Sequence, residues 1–212
     1  MLFDWDGTLV NSAEASFRAY VGLFRSLGLA FDRDDYERTY SPNWHRTYEA
    51  MGLAREGWEG ADAVWLAHYG RERNELLPGV GEALARLRSG GLALGLVSSG
   101  ERARVARELV ELGVDRFFGA VVCGGDTTHR KPHPEPLLAA LERMGVRPGE
   151  AVYVGDSPED MEMASGASVF AVGIPGSFPN RKALLASRPD FLAQDLVAAV
   201  DRLLDAAWSQ SS

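Results

Sequence analysis

Four separated stretches of the sequence place reactive side chains where apolar runs end. Asp4 and Asp6 stand in "MLFDWDGTLV" (1–10), and Gly7 and Thr8 follow at once. Ser98, Ser99 and Gly100 come directly after "LALGLV" (92–97). Lys131 sits in "HRKPHPEP" (129–136), beyond a loop that contains Asp126. Asp156, Ser157 and Asp160 follow "AVYVG" (151–155). Carboxylates at the end of a buried strand are costly unless something positive meets them. Alternation along a strand puts Asp4 and Asp6 on one face and Trp5 on the other. If Asp156 joins them, each like-charged pair costs about 4 kcal/mol at ~4 Å and an effective dielectric of about 20. Such a cluster needs a divalent cation. Its donors are all oxygens, which favours Mg²⁺ held by one or two carboxylates, water and a substrate phosphate. A carboxylate beside that ion can attack phosphorus and form an aspartyl phosphate. Ser98, the amides at Ser99 and Gly100, and Lys131 would then hold the phosphoryl oxygens.

Parallel strands would bring the four stretches to one edge. From residue 78 onward, helices ending in glycine alternate with short apolar runs that do not alternate in polarity. Val80, Leu84 and Leu87 precede "LALGLV", and Val105, Leu109 and Leu112 precede "FFGAVV" (117–122). Leu137, Leu141 and Met144 precede "AVYVG", and a shorter segment from Asp160 leads to "SVFAVG" (168–173). Runs of this kind are strands covered on both faces. With "LFDW" first, the fold class is α/β, a doubly wound parallel sheet, whose ligands bind beyond the carboxyl ends of the strands.

Residues 12–77 read as helix throughout and form a candidate insertion between the first two strands. Ala13, Phe17, Tyr20, Val21, Phe24 and Leu27 make one helical stripe. Asn11 or Ser12 caps it, with Glu14 placed for a capping box from Asn11. Further helices are expected near 33–40, 42–51 and 60–76, with linkers near 8–12 and 75–79. The expected domains are therefore 1–11 with 78–212 as an α/β core, and 12–77 as a helical unit. The tail "SQSS" (209–212) is expected to fray.

Composition narrows the classes of function. The chain has 212 residues and a net charge of −8, which argues against nucleic acid and anionic membranes as partners. No run is long and apolar enough to span a bilayer. The acids at positions 4 and 6 interrupt any signal-peptide stretch, and Cys123 is the single cysteine, so a reducing cytoplasm is the expected location. Lys131 and Lys182 are the only lysines among 22 basic residues, so a compact ammonium at position 131 stands out.

At these residues the sequence resembles a known family. "DWDGT", "LVSSG", "RKPHPEP" and "GDSPED" are similar to the four ordered motifs of the haloacid dehalogenase superfamily, specifically its Mg²⁺-dependent phosphatases with a helical cap. The insertion at 12–77 falls where that subfamily places its cap. The resemblance implies that Asp4 is nucleophile and metal ligand. It implies that Asp6 is general acid and then base, with its backbone carbonyl on the metal. Ser98 and Lys131 would bind the phosphoryl group, with Ser99 as an alternative contact. Asp156 would ligate Mg²⁺ directly or through water, and Asp160 would support the metal shell. Gly7 and Thr8 would begin the turn toward the cap. Only three residues precede Asp4, fewer than usual, so the first strand is short or the start is trimmed, and Trp5 is bulkier than the usual apolar residue there.

The implied activity is hydrolysis of a small phosphorylated metabolite, most like a phosphoglycolate phosphatase. A phosphosugar mutase is the alternative, because "NSAEASFRAY" (11–20) resembles the β-phosphoglucomutases, but Ser16 stands where their histidine is expected. A haloacid dehalogenase would lack Asp6 and the metal. A phospho-accepting regulatory module would share the acidic pocket and lysine but not the insertion. Several residues have plainer readings: Asp160 as an N-cap, Cys123 as inert core, His129 and His133 as loop residues flanking the site. Trp44, His45, Arg46 and Tyr48 are candidates for the cap entrance, with Arg46 or Arg18 as possible substrate contacts. Neither the substrate nor the oligomeric state is legible in the sequence.

Overall fold

The apolar runs become parallel strands, and the glycine-terminated segments between them become helices. The computed structural model describes residues 1–209. In chain order the elements are β1 (Leu2–Phe3), α1 (Ala13–Ser26), α2 (Arg33–Thr39), α3 (Trp44–Ala50), α4 (Trp58–Tyr69) and α5 (Val80–Ser89). Then come β2 (Gly95–Glu101), α6 (Arg102–Glu111), β3 (Ala120–Gly124), α7 (Glu135–Met144), β4 (Val152–Gly155) and α8 (Pro158–Gly166). The chain continues through β5 (Phe170–Gly173), α9 (Arg181–Ala186), β6 (Phe191–Leu192) and α10 (Leu196–Ser209). Residues 210–212 of the "SQSS" tail, expected to fray, lie outside the described residues.

The sheet has the order β3-β2-β1-β4-β5-β6, with every pairing parallel. β1 and β4 flank the point where the winding reverses, which is where such sheets bind ligands. Side-chain alternation separates two cores. Phe3, Leu96, Val154 and Val172 pack with α5, α6 and α10 residues such as Leu84, Val105 and Val200. Leu2, Val97, Tyr153 and Ala171 pack with α7, α8 and α9 residues such as Leu141, Met163 and Leu184. Successive residues thus face opposite helical layers, the arrangement that non-alternating strand runs require.

The helical segment between β1 and β2 has its own aromatic core, in which Tyr20, Phe24, Phe31, Tyr36 and Tyr48 are buried. The two chain crossings that frame it pair with each other: Asn11 N donates to Glu75 O at 3.0 Å, Leu77 N donates to Leu9 O at 2.9 Å, and Val10 and Leu76 form an antiparallel bridge.

Several details differ from the sequence reading. α4 stops at Gly70 rather than running to 76, because 74–77 is drawn into the paired crossings. β3 starts at Ala120, since Asp115–Phe117 forms a 3₁₀ turn instead of the strand's first residues. Leu27 is 44 % exposed, while Ala19 and Leu23 are buried, because α1 packs against α4 as well as the aromatic core. Gly22 permits that contact: a Cβ there would lie 2.5 Å from the His68 ring. No capping box forms at α1. Ser12 is the N-cap without a side-chain capping bond, and Arg33 takes the Glu14 carboxylate at 2.6 Å. β6, α9 and α10 were not read from the sequence at all. Among the described residues no helix is long and apolar enough to cross a membrane.

Candidate active site

Three strand ends and one loop meet around a single ammonium. Asp4 leaves β1 with its backbone N–H still donating to Val154 O of β4 at 2.9 Å. Lys131, on the loop before α7, donates from Nζ to Asp4 Oδ1 at 2.6 Å, to Asp160 Oδ1 at 2.7 Å and to Tyr153 Oη at 2.7 Å. All three ammonium protons are used, and all four side chains are buried. Burial opposes the Lys131 charge, but Asp160 and Asp4 together outweigh it and hold the ammonium above its usual range. Asp160 is fixed from the other side. Its Oδ2 accepts from Ser157 N at 3.1 Å and Ser157 Oγ at 2.7 Å, in a capping box that starts α8. Asp160 is therefore not the N-cap: Ser157 is, and Asp160 joins the helix terminus to Lys131.

Asp156 completes an acidic group. Carboxylate oxygens of Asp4, Asp156 and Asp160 lie within 4.8 Å of one another. Thr8 Oγ1 contacts Asp156 Oδ1 at 3.4 Å, while Asp156 Oδ2 is buried without a hydrogen-bond partner. The backbone clears space around that oxygen. A Cβ on Gly7, whose φ is +85°, would lie 2.4 Å from Asp156 Oδ2, and one on Gly176 would lie 2.6 Å away. Gly7 is thus required by more than the turn. Burial pushes Asp156 well above the carboxylate range, with repulsion from Asp4 and Asp160 adding to it. Burial also raises Asp4, to about 7, against the pull of Lys131.

These residues fit a hard divalent cation. Three buried carboxylates face one ammonium, one acceptor oxygen is left over, and every donor is oxygen. Asp4 and Asp156 have oxygens to offer such an ion; Asp160 has its oxygens engaged by Lys131 and Ser157 and braces the group.

Asp6 does not join this group. β1 ends at Phe3 and the chain bends at Trp5, so the alternation that would align Asp4 with Asp6 stops. The Asp6 carboxylate turns toward α6, where Arg104 grips both oxygens: Nη2 to Oδ2 at 2.6 Å and Nη1 to Oδ1 at 3.1 Å. Arg104 Nη1 also reaches Glu108 Oε2 at 3.1 Å, and Glu108 in turn accepts from Trp5 Nε1 at 2.7 Å and Asn74 Nδ2 at 3.2 Å. Asn74 Nδ2 donates to Tyr69 Oη at 2.7 Å, and that hydroxyl lies 3.4 Å from Asp6 Oδ1. Burial works against the Asp6 charge, but the Arg104 ion pair outweighs it and holds the carboxyl below its usual range. Arg104 was missed by the sequence reading. A signal exists in hindsight, since "ERARVARELV" places Arg104 and Glu108 one turn apart on the apolar face of α6, where charges need partners.

A cavity of about 230 Å³ opens onto both carboxylate groups. Its lining includes Asp4, Asp6, Ser98, Ser99, Gly100, Lys131, Asp156 and Asp160 from the sheet edge. β2 runs on to Glu101, farther than the apolar run suggested, and its pairing with β3 is irregular between Val97 and Glu101. Ser98 Oγ lies in that stretch, buried, and accepts from Gly100 N at 3.0 Å. The far wall comes from the helical segment, including Trp44 and Tyr48 as expected of an entrance. His45 instead stacks on Trp58, with ring centroids 4.4 Å apart. Arg46 does not line the cavity, and neither does Arg18, whose guanidinium pairs with Glu72 at 2.6 Å. Asp126 is held away by Arg102. His129 and His133 stack on each other at the surface, centroids 4.1 Å apart, with Glu135 on His129. Cys123 is buried in the core, and burial raises its thiol to about 11, consistent with an unreactive side chain.

A doubly wound parallel sheet with an acidic, lysine-centred strand edge under a helical wall defines an α/β protein with its candidate site at the switch point of the sheet. The haloacid dehalogenase-like hydrolase family matches residues 1–174, and the chain belongs to it. It is 36 % identical over 221 aligned positions to a phosphoglycolate phosphatase of Shigella flexneri, covering 92 % of this chain and 88 % of the relative. It is 26 % identical over 199 positions to the pyrophosphatase PpaX of Oceanobacillus iheyensis, covering 92 % of each. Among solved structures, a candidate phosphoglycolate phosphatase of Lactobacillus plantarum superposes with a TM-score of 0.84 at 25 % identity, covering 94 % of this chain and 96 % of that one.

Proposed function

We propose that this chain hydrolyses small phosphomonoesters through an aspartyl phosphate on Asp4, with Mg²⁺ as cofactor. The observation that carries the reading is Lys131 Nζ bonded to Asp4 and Asp160 beside the unpartnered oxygen of Asp156. Mg²⁺, held by Asp4, the Asp6 carbonyl and Asp156, would neutralise the phosphoryl charge and lower the repulsion that meets an anionic nucleophile.

An Asp4 oxygen attacks phosphorus, and the bond from phosphorus to the ester oxygen breaks as that oxygen takes a proton from Asp6. Water then attacks the aspartyl phosphate and gives its proton back to Asp6. Phosphate departs and the Asp4 carboxylate is restored. Lys131, Ser98 and the amides at Ser99 and Gly100 hold the non-bridging oxygens as their charge shifts, for which Lys131 exchanges one of its three contacts and Gly100 N its bond to Ser98 Oγ. For Asp6 to carry the proton it must leave the Arg104 fork. In this reading residues 12–77 are a cap over a core formed by 1–11 and 78–212, closing over the substrate and excluding bulk water. A mutase finds less support, because Ser16 lines the cavity where a proton-shuttling histidine is expected.

The test is phosphate release from a panel of phosphorylated metabolites, including phosphoglycolate and pyrophosphate, with Mg²⁺ or with chelator. Turnover that needs Mg²⁺ and vanishes in a folded Asp4→Asn variant is expected. Near-native rates in that variant would exclude Asp4 as nucleophile.

A further inference from the structure

The helical wall of the cavity carries its own recognition chemistry. Of the side chains it contributes, Asp62 is the only one that is charged at neutral pH. Tyr20, Trp44, Tyr48 and Trp65 line the cavity with it. They form a connected group. Tyr20 meets Tyr48 with ring centroids 6.4 Å apart and Trp65 at 5.9 Å. Trp44 Nε1 donates to Asp62 Oδ1 at 2.7 Å. Trp65 follows Asp62 by three residues on α4, so both emerge on one face of that helix. Among the described residues no arginine or lysine comes within ion-pairing distance of Asp62. The nearest basic group is His45, with Nε2 3.5 Å from Oδ2.

Aromatic faces carry negative potential, and a carboxylate among them deepens it. That wall repels a second anion and attracts a cation. A leaving alcohol with a carboxylate would set its charge against both Asp62 and the rings. One with an ammonium would find a counter-ion and π faces together. Besides Lys131, two cations line the cavity: Arg104, committed to Asp6 and Glu108, and Arg130, which lies over the Trp44 ring at 4.6 Å and so covers one face of this wall, leaving Asp62, Tyr20, Tyr48 and Trp65 to meet the ammonium.

We infer that the substrate is the phosphomonoester of a small amino alcohol, its ammonium seated against Asp62 among Tyr20, Tyr48 and Trp65. This rests on the phosphomonoester hydrolase reading above and names its substrate class.

The experiment compares kcat/KM for 2-aminoethyl phosphate, phosphocholine, ethyl phosphate and phosphoglycolate on the full chain with Mg²⁺, with p-nitrophenyl phosphate as a reporter that needs no cap recognition. The expected order puts the two amines above ethyl phosphate by about tenfold, a gain typical of a desolvated cation against aromatic rings, with phosphoglycolate lowest. Asp62→Asn, which keeps an acceptor for Trp44, should lower the amine-to-ethyl ratio by about tenfold through KM. Phosphoglycolate matching or exceeding the amines overturns the inference and moves recognition to Arg130. An amine-to-ethyl ratio that Asp62→Asn does not change also overturns it. If p-nitrophenyl phosphate is turned over and the amines are not preferred, only this inference falls. If nothing is turned over, the hydrolase reading falls and takes this one with it.

Discussion

Arg104 holds both carboxylate oxygens of Asp6, at 2.6 and 3.1 Å, while Lys131 holds Asp4 at 2.6 Å. Two acids separated by one residue are thus committed to different cations on opposite sides of the sheet. Their proton affinities diverge accordingly: Asp4 is pushed up and Asp6 is pushed down. That order is the reverse of what a nucleophile and a general acid need: a cation on Asp4 must lower its proton affinity, and release from Arg104 must raise that of Asp6, before the two can fill those roles.

Substitution at Arg104 should separate fold from chemistry. Arg104→Met leaves Asp6 and Glu108 buried without their counter-ion and should destabilise the protein by about 3–5 kcal/mol. Arg104→Lys keeps the charge but not the two-pronged geometry. The expected result for Arg104→Lys is a kcat loss of about tenfold or more on alkyl phosphates, whose poor leaving groups need a proton, and a smaller loss on p-nitrophenyl phosphate. Equal losses on both esters would remove Arg104 from any part in orienting Asp6.

Lys131→Arg tests the ammonium in the same way. The three Nζ contacts converge on a point, and a planar guanidinium cannot reproduce them within a buried site. Turnover should fall at least ~10-fold with charge retained, a barrier increase of about 1.4 kcal/mol. Unchanged kinetics would put Lys131 outside the reaction.

Gly7→Ala should cost both stability and metal affinity. The positive φ alone is worth about 1–2 kcal/mol against a residue with a Cβ. The added methyl would also press on the Asp156 oxygen left open for an ion. Thermal melts and Mg²⁺ titration of the variant against wild type measure the two effects separately. A variant that melts and binds Mg²⁺ as wild type does would contradict the close approach of the Gly7 backbone to Asp156.

Mg²⁺ should stabilise the protein more as pH rises. Burial lifts Asp4 to about 7 and Asp156 well above the unfolded carboxylate value. Groups raised in this direction favour the folded state while protonated. Their contribution is full below the unfolded value of about 3.9 and is lost as pH rises through the folded one. The ion needs both groups ionised, so at low pH it competes with protons. The expected melting-temperature gain with Mg²⁺ is small at pH 5 and larger at pH 8. A gain that does not depend on pH would place the ion elsewhere.

Strand ends were legible because the chemistry is local: an apolar run followed by an acid or a serine marks its own position. Asp4, Asp156, Asp160 and Lys131 come together as that logic requires. The orientation of Asp6 was not legible, because it depends on where β1 stops pairing, and a two-residue strand leaves no periodicity to read. Arg104 is half hidden by its neighbours: "ERARVARELV" puts it with Glu108 on the apolar face of α6, a sign of burial, but its partner Asp6 is 98 residues away and only the tertiary contact reveals it. The stripe on α1 was drawn too narrow because a helix gripped from two sides has no single apolar face. β6 escaped notice for the same reason as the exact length of β1, being two residues long.

Burial of Lys131 has a practical side. Lys182, exposed on α9 and outside the cavity lining, is the only other lysine of the chain. Among side chains, amine-reactive tethers will therefore anchor the protein through Lys182 and leave the buried Lys131 unmodified.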